Sequence, residues 1–215
     1  MLANELFDII GLLLHGVVYT FVITLSCFIT AFISGLGVAA LRRLTGRAVG
    51  RVLDFLVFII RAVPVLVLLF LIYFGLPSFG LSTPPLVAMN LSLGVIGGAY
   101  ISEVFRGALE SVEESEITAA RAAGFSHFQI IRYIEFPQML RFSIPGVMNE
   151  LTAILKNTPF AYTVGITEIL GQAKALTAST MLGMNIYLIA GILYFCIYLF
   201  FLSMMKITKN KYVVE

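Results

Sequence analysis

Apolar residues run along this chain in long stretches separated by short polar intervals. A membrane-spanning helix needs roughly 20 predominantly apolar residues, and about five segments meet or nearly meet that length. They extend over Gly16–Leu41, Val52–Leu76, Pro85–Leu109, Ile144–Leu170 and Asn185–Met205. Lipid offers no hydrogen-bond partners to an open backbone, so stretches of this kind predict an all-α polytopic membrane protein.

The interval between Leu109 and Ile144 is long and polar. It contains Thr118-Ala119-Ala120-Arg121-Ala122-Ala123-Gly124 and, further on, Ile134-Glu135-Phe136-Pro137. Ala119, Ala120 and Ala123 share a helical face by three- and four-residue spacing, which predicts a shallow surface that another protein's groove can accept. Ser111-Val112-Glu113-Glu114 and Ser126-His127-Phe128-Gln129 both fit the capping-box pattern, so two short helices are expected. Gly124 lies between them where a left-handed residue can end the first, and Pro137 marks a bend into the next membrane segment. An ordinary cytoplasmic helical hairpin remains the alternative.

Composition sharpens this picture. The chain is 60% hydrophobic and 12% charged, and its mean hydropathy of +0.99 exceeds what a water-soluble core requires. A net charge of +2, with no basic run interleaved with aromatics, argues against nucleic acid as a partner. Cys27 and Cys196 lie in apolar segments and behave as small hydrophobes. Glu5 and Asp8 precede the first apolar run with no basic leader, so no cleaved signal peptide is expected. The loop after the first segment holds Arg42, Arg43, Arg47 and Arg51, and the tail holds Lys206, Lys209 and Lys211. The positive-inside rule then puts the amino terminus outside, and the Arg-rich loop, the polar interval and the carboxyl terminus in the cytoplasm.

Ionisable residues inside apolar segments are costly and generally face a protein interior or a watery path. Arg61 lies roughly 13 Å from the start of the second segment and Lys156 roughly 17 Å beyond Pro145, so both are expected near the midplane. Pro159 follows Lys156-Asn157-Thr158 and disfavours helix at Thr158, which predicts a break in the fourth segment. Backbone groups freed at membrane depth need protein or a water-filled cavity around them, which favours a solute site over a packed kink. Glu150 can neutralise a basic group or bind a substrate amine. Glu103 and Arg106 are spaced for a structural ion pair, and Gly94, Gly97 and Gly98 for close helix packing. His15 and His127 have no accompanying ligands. The sequence offers no phosphate-cradling loop, metal pair or nucleophile with a base, so any energy for transport comes from elsewhere.

Taken together, these residues resemble the membrane-spanning permease subunits of ABC importers for polar amino acids, the histidine- and glutamine-permease group. The family's cytoplasmic signature, Glu-Ala-Ala, three residues, Gly, nine residues, Ile-x-Leu-Pro, corresponds to Thr118, Ala119, Ala120, Gly124, Ile134, Phe136 and Pro137. Further similarities are Arg61-Ala62-Val63-Pro64 with Ile72-Tyr73-Phe74-Gly75-Leu76-Pro77, Glu103-Val104-Phe105-Arg106-Gly107, and Lys156-Asn157-Thr158 with Gly165-Ile166-Thr167-Glu168. Thr118 stands where the signature has glutamate, Phe136 where it has leucine, and Pro159 where serine is frequent. The resemblance implies that residues 1–215 form one transmembrane domain, with 110–144 a cytoplasmic loop bearing the coupling helix. That helix, with Thr118, Ala119, Ala120, Ala123 and Gly124, would seat in a separate ATPase. The chain would hold no cofactor of its own, ATP and Mg being used by an ATPase dimer. A second permease subunit, alike or related, and an extracytoplasmic binding protein complete the implied assembly in a bacterial-type cell membrane. Arg61, Glu150, Lys156, Asn157 and Thr158 are the candidates for the amino-acid pathway. The rival reading is a self-contained ion-coupled secondary transporter or oligomeric channel working without ATP; a non-transporting scaffold fits the intramembrane charges poorly.

Overall fold

The computed structural model describes residues 2–180 and 182–212, and every regular element among them is helical. Helix α1 (Leu2–Leu44) is followed by α2 (Arg47–Ala62) and α3 (Val65–Phe70), which continues through a π turn at Leu71–Gly75 and a 3-10 turn at Leu76–Phe79. Helix α4 (Pro85–Met89) leads through a π turn at Asn90–Gly94 into α5 (Val95–Glu110). The polar interval carries α6 (Glu114–Ala122) and α7 (His127–Ile130), and a π turn at Ile131–Glu135 joins α7 to α8 (Phe136–Asn157). A 3-10 segment at Thr158–Val164 precedes α9 (Ile169–Thr180) and α10 (Gly183–Tyr212). The side chains of Glu5, Asp8, Lys209 and Lys211, on which part of the topology reading rested, lie outside those described.

Ile9–Leu44, Pro85–Glu110 and Gly183–Lys206 are long and apolar enough to cross a membrane. The pair Arg47–Ala62 and Val65–Phe79, bent by 94°, is long and apolar enough for a fourth crossing if its two arms count as one broken span. The second segment is thus broken where Val52–Leu76 reads as continuous. Val63 and Pro64 are both extended, with ψ of 127° and 134°. Proline lacks an N–H and drives the residue before it out of helical geometry, which accounts for the elbow. The fourth segment is shifted too: its helix begins at Phe136, well before Ile144, and stops at Asn157 beside the expected break, short of Leu170. Arg132, Glu135, Arg141, Glu150 and Lys156 make it too polar to stand out as a span, and its packing against α1, α5 and α10 places it. Pro137 does not end this helix. It sits in the first turn of α8 directly after the π turn, whose wider ladder absorbs the bond proline cannot donate.

Small residues set the spacing of the bundle. A Cβ on Gly35 of α1 would stand 2.8 Å from the Gly98 carbonyl oxygen of α5, so the two backbones touch. Gly94 lies against Thr30, and Gly97 against Ala31 and Ile154, so the expected glycine stripe packs within the subunit. Ile23, Cys27 and Ala31 of α1 meet Leu93, Ile101, Phe105 and Ile154 around this contact. A second apolar cluster, including Leu13, Leu155, Ile169 and Ile186, fastens α9 and α10 to the other end of α1.

The polar interval has a small core of its own, formed by Val112, Ile117, Ala120 and Ile130 with Ile134 beside them. Helix α6 ends in a Schellman turn: the Phe125 amide bonds to the Ala120 carbonyl and that of Gly124 to Arg121, each at 3.0 Å, with Gly124 at φ +84°. Helix α7 begins with both halves of the expected capping box between Ser126 and Gln129. The other expected box does not form. The N-cap of α6 is Glu113 without a side-chain bond, and the Ser111 hydroxyl donates back to the Gly107 carbonyl at 3.1 Å, closing α5 instead.

Candidate functional site

The elbow between α2 and α3 opens toward one face of α8. A cavity of about 500 Å³ lies there, lined by Arg61, Ala62, Val63, Pro64 and Val65 from the elbow, by Leu93, Ile96 and Tyr100, and by Asn149, Glu150, Ala153 and Asn157 of α8. Both sides of it are helix ends, since α2 stops at Ala62 and α8 at Asn157. Discontinuous helices present polar backbone at membrane depth where it can serve a solute.

The Arg61 guanidinium lies 4.7 Å from the centre of the Tyr100 ring. Its Nη1 is 3.8 Å from the Glu103 carboxylate, which also pairs with Arg42 at 2.8 Å and with Arg106 at 3.1 Å. The expected Glu103–Arg106 pair therefore forms, but as one part of a carboxylate shared by three arginines from three helices. Glu150 projects into the same cavity and feels the Arg61 charge. The two form no ion pair with each other, and Glu150 takes no hydrogen bond among the described residues. An acid and a base thus border one cavity with their mutual contact open.

The other sequence-derived candidates divide. Asn157 lines this cavity while its Nδ2 donates to the Ala153 carbonyl at 2.9 Å. Lys156 does not join it. Six residues separate Lys156 from Glu150, which turns it about 120° around the helix. Its ammonium instead lies 5.0 Å from the Tyr198 ring in a separate cavity with Tyr194 and Phe195. Thr158 is fully buried and donates to the Leu155 carbonyl at 2.8 Å, so it faces the core. The break expected beside Pro159 is present, since α8 gives way there to the 3-10 segment.

In the polar interval, Thr118, Ala119 and Ala123 are exposed on α6, together with Ser115 and Ala122. Ala120 departs from the expected surface: three residues beyond Ile117, it falls on the inward stripe and is 8% exposed. The outward face is flanked by exposed Phe125, Phe128 and Tyr133. Behind this segment the Arg43 guanidinium grips buried Glu135 with two nitrogens, joining the end of α1 to the π turn before α8.

Sequence reasoning missed Tyr100, the elbow residues other than Arg61, and the role of Glu168. The Val63-Pro64 pair carried the elbow signal, and Tyr100 lies one turn before Glu103 on α5. Buried Glu168 caps α9 by accepting the Gly171 amide at 2.9 Å and also accepts the Tyr194 hydroxyl. It fastens the chain beyond the break to α10.

A bundle of membrane-length apolar helices, broken at a cavity bordered by an acid and a base and with an exposed helical segment at one end, fits the membrane component of a transporter. The chain belongs to the family of binding-protein-dependent transport system inner membrane components, matched over residues 31–213. It is 34% identical over 200 residues to the histidine/lysine/arginine/ornithine transport system permease protein HisQ of Salmonella typhimurium (strain LT2), with 88% of each chain covered. It is 34% identical over 192 residues to the nopaline transport system permease protein NocM of Agrobacterium fabrum, covering 85% of this chain and 80% of that one. Its fold matches a solved crystal structure of an amino acid ABC transporter with histidines at a TM-score of 0.90, with 25% identity and 97% of each chain covered. The chain is accordingly a multi-pass inner-membrane transport subunit, not an enzyme, and works in a system with a binding protein and a separate ATPase.

Proposed function

We propose that this subunit carries an amino acid inward by alternating access, and that the zwitterion is held between Arg61 and Glu150. The observation that carries the proposal is the open pairing of these two side chains across one cavity. The guanidinium suits the substrate α-carboxylate and the Glu150 carboxylate its α-ammonium, each a charge-assisted contact. Tyr100 and the Glu103 carboxylate hold the Arg61 head in place, and Asn157 offers a neutral contact at the cavity edge. Lys156 and Thr158 receive no part in this contact, because they face elsewhere.

Residues 1–215 act as one transmembrane domain, and 110–144 form its coupling loop. The exposed face of α6, with Thr118, Ala119 and Ala123 and the Gly124 turn, docks on an ATPase that binds ATP with Mg. Ala120 supports that face from beneath. Two such ATPases and two permease chains move as rigid bodies, and a binding protein delivers substrate at the opposite face. The amino terminus lies outside and the carboxyl terminus in the cytoplasm. Similarity to named amino-acid permeases supports this reading over an ion-coupled secondary transporter or channel.

The test is uptake of labelled amino acids into proteoliposomes holding the complete transporter, with its ATPase and binding protein. Uptake requiring internal or external ATP on the ATPase side, and lost in Glu150→Gln, is the expected result. Uptake driven by an ion gradient without ATP would overturn the proposal.

A further inference from the structure

The strongest excess of charge lies away from the amino-acid cavity, where α1, α2 and α5 converge at the end of the bundle shared with the polar interval. Arg42, Arg43, Arg47, Arg51 and Arg106 line a cavity of about 480 Å³, with Asp54 as its acidic member. Most of this charge is balanced: Arg42 pairs with Asp54 at 3.0 Å and with Glu103, Arg43 pairs with Glu135, and Arg106 pairs with Glu103 and Glu110. Arg47 and Arg51 make no ion pair among the described residues. The Arg42 side chain is 10% exposed, and its buried Nε has no hydrogen-bond acceptor. A cavity is therefore left with two surplus guanidinium groups at its rim and an unused donor in its wall.

We propose that this cavity binds the phosphate of an anionic phospholipid headgroup. Guanidinium groups match phosphate oxygens in planar, paired geometry, and basic pockets between membrane helices attract acidic headgroups. The surroundings favour a lipid as the source of that phosphate. Phe55 lies one helical turn from Arg51 and is 62% exposed, and Val52 and Leu56 beside it are exposed as well. Leu41 and Leu44 are exposed on the α1 side. A headgroup on the arginines thus has apolar surface next to it for its acyl chains. Because the same arginines meet Asp54 and Glu103, an occupied cavity stabilises the junction of α1, α2 and α5 on which Arg61 also depends. The proposal requires only a membrane-embedded chain and stands whether or not Arg61 and Glu150 bind an amino acid.

The experiment uses the complete transporter purified in mild detergent. Dioleoylphosphatidylglycerol and dioleoylphosphatidylcholine are titrated separately, and retained lipid is read by native mass spectrometry. The wild type is expected to retain phosphatidylglycerol selectively. Arg47→Gln with Arg51→Gln removes two surface-exposed charges and should weaken that binding roughly thirty-fold, at the typical worth of a basic residue near an anionic headgroup. Arg47→Lys with Arg51→Lys should retain most of it. Equal retention of the two lipids, or no loss in the double Gln variant, would overturn the site. Full displacement of phosphatidylglycerol by millimolar inorganic phosphate would overturn the lipid as its occupant and assign the cavity to a free phosphate. Retention of phosphatidylglycerol only after the ATPase is stripped away would show that a protein covers the cavity.

Discussion

Arg61 and Glu150 border one cavity without pairing, and the proposed amino-acid contact rests on that separation. A charge-assisted contact contributes about 1.5–3 kcal/mol, so Arg61→Gln and Glu150→Gln should each raise the KM for uptake roughly ten- to a hundred-fold. The measurement is initial uptake rate against substrate concentration, with basal ATPase activity as the control for assembly. Lys156→Gln, facing Tyr198 instead, should change KM less than three-fold, about 0.6 kcal/mol or under. Glu103→Gln leaves Arg42 and Arg61 short of their shared acid and should cost about 1–3 kcal/mol, read as a lower Tm of the purified subunit. Sequence alone singles out Arg61 and Glu150 as candidates, because charges are rare in apolar stretches. It groups Lys156 with them although proximity along a helix is not proximity around it and Lys156 lines a separate cavity, and it hides the Glu103 hub because Arg42 and Arg61 come from other helices.

At the scale of elements, the breaks matter more than the helices. The 94° turn at Val63-Pro64 and the end of α8 at Asn157 put two helix termini at one cavity. Pro64→Ala permits a straighter helix and should abolish uptake while leaving membrane insertion intact, as checked by protease mapping. In the coupling segment, Ser126→Ala removes one half of the capping box and should cost about 1 kcal/mol. Gly124→Ala forces a side chain into φ +84° and should cost about 1 kcal/mol as well. Hydrogen exchange of residues 114–135 reads both, and unchanged protection would count against the local role of the caps. The Pro159 break and the Gly124 turn were legible because proline and glycine act locally. The boundaries of the fourth segment were not, because packing against α1, α5 and α10 compensates for charges that a hydropathy pattern counts against it. The inward turn of Ala120 follows from Ile117, and an alanine stripe by itself does not tell which side is buried.

Across the whole molecule, the Gln138 amide donating to Glu116 and the continuous α7–α8 path connect α6 to the helix that carries Asn149, Glu150 and Asn157, and the Arg43–Glu135 contact ties that path to α1. In the proposed mechanism, motion imposed on α6 by an ATPase would be carried along α8 into the cavity wall, as rigid-body coupling requires. The resemblance to the permease family implies this coupling, although Thr118 stands in place of the signature glutamate. Gly124→Trp should obstruct docking and prevent the ATPase from co-purifying, with the permease still inserted. The most direct measurement of the central claim is binding of amino-acid analogues to the complete purified transporter with its binding protein removed. Free amino acid should bind the wild type and bind Glu150→Gln at least ten-fold more weakly, and blocking either its α-amine or its α-carboxylate should abolish binding. Equal affinity for the free and blocked forms, or for wild type and Glu150→Gln, would contradict a zwitterion held between Arg61 and Glu150.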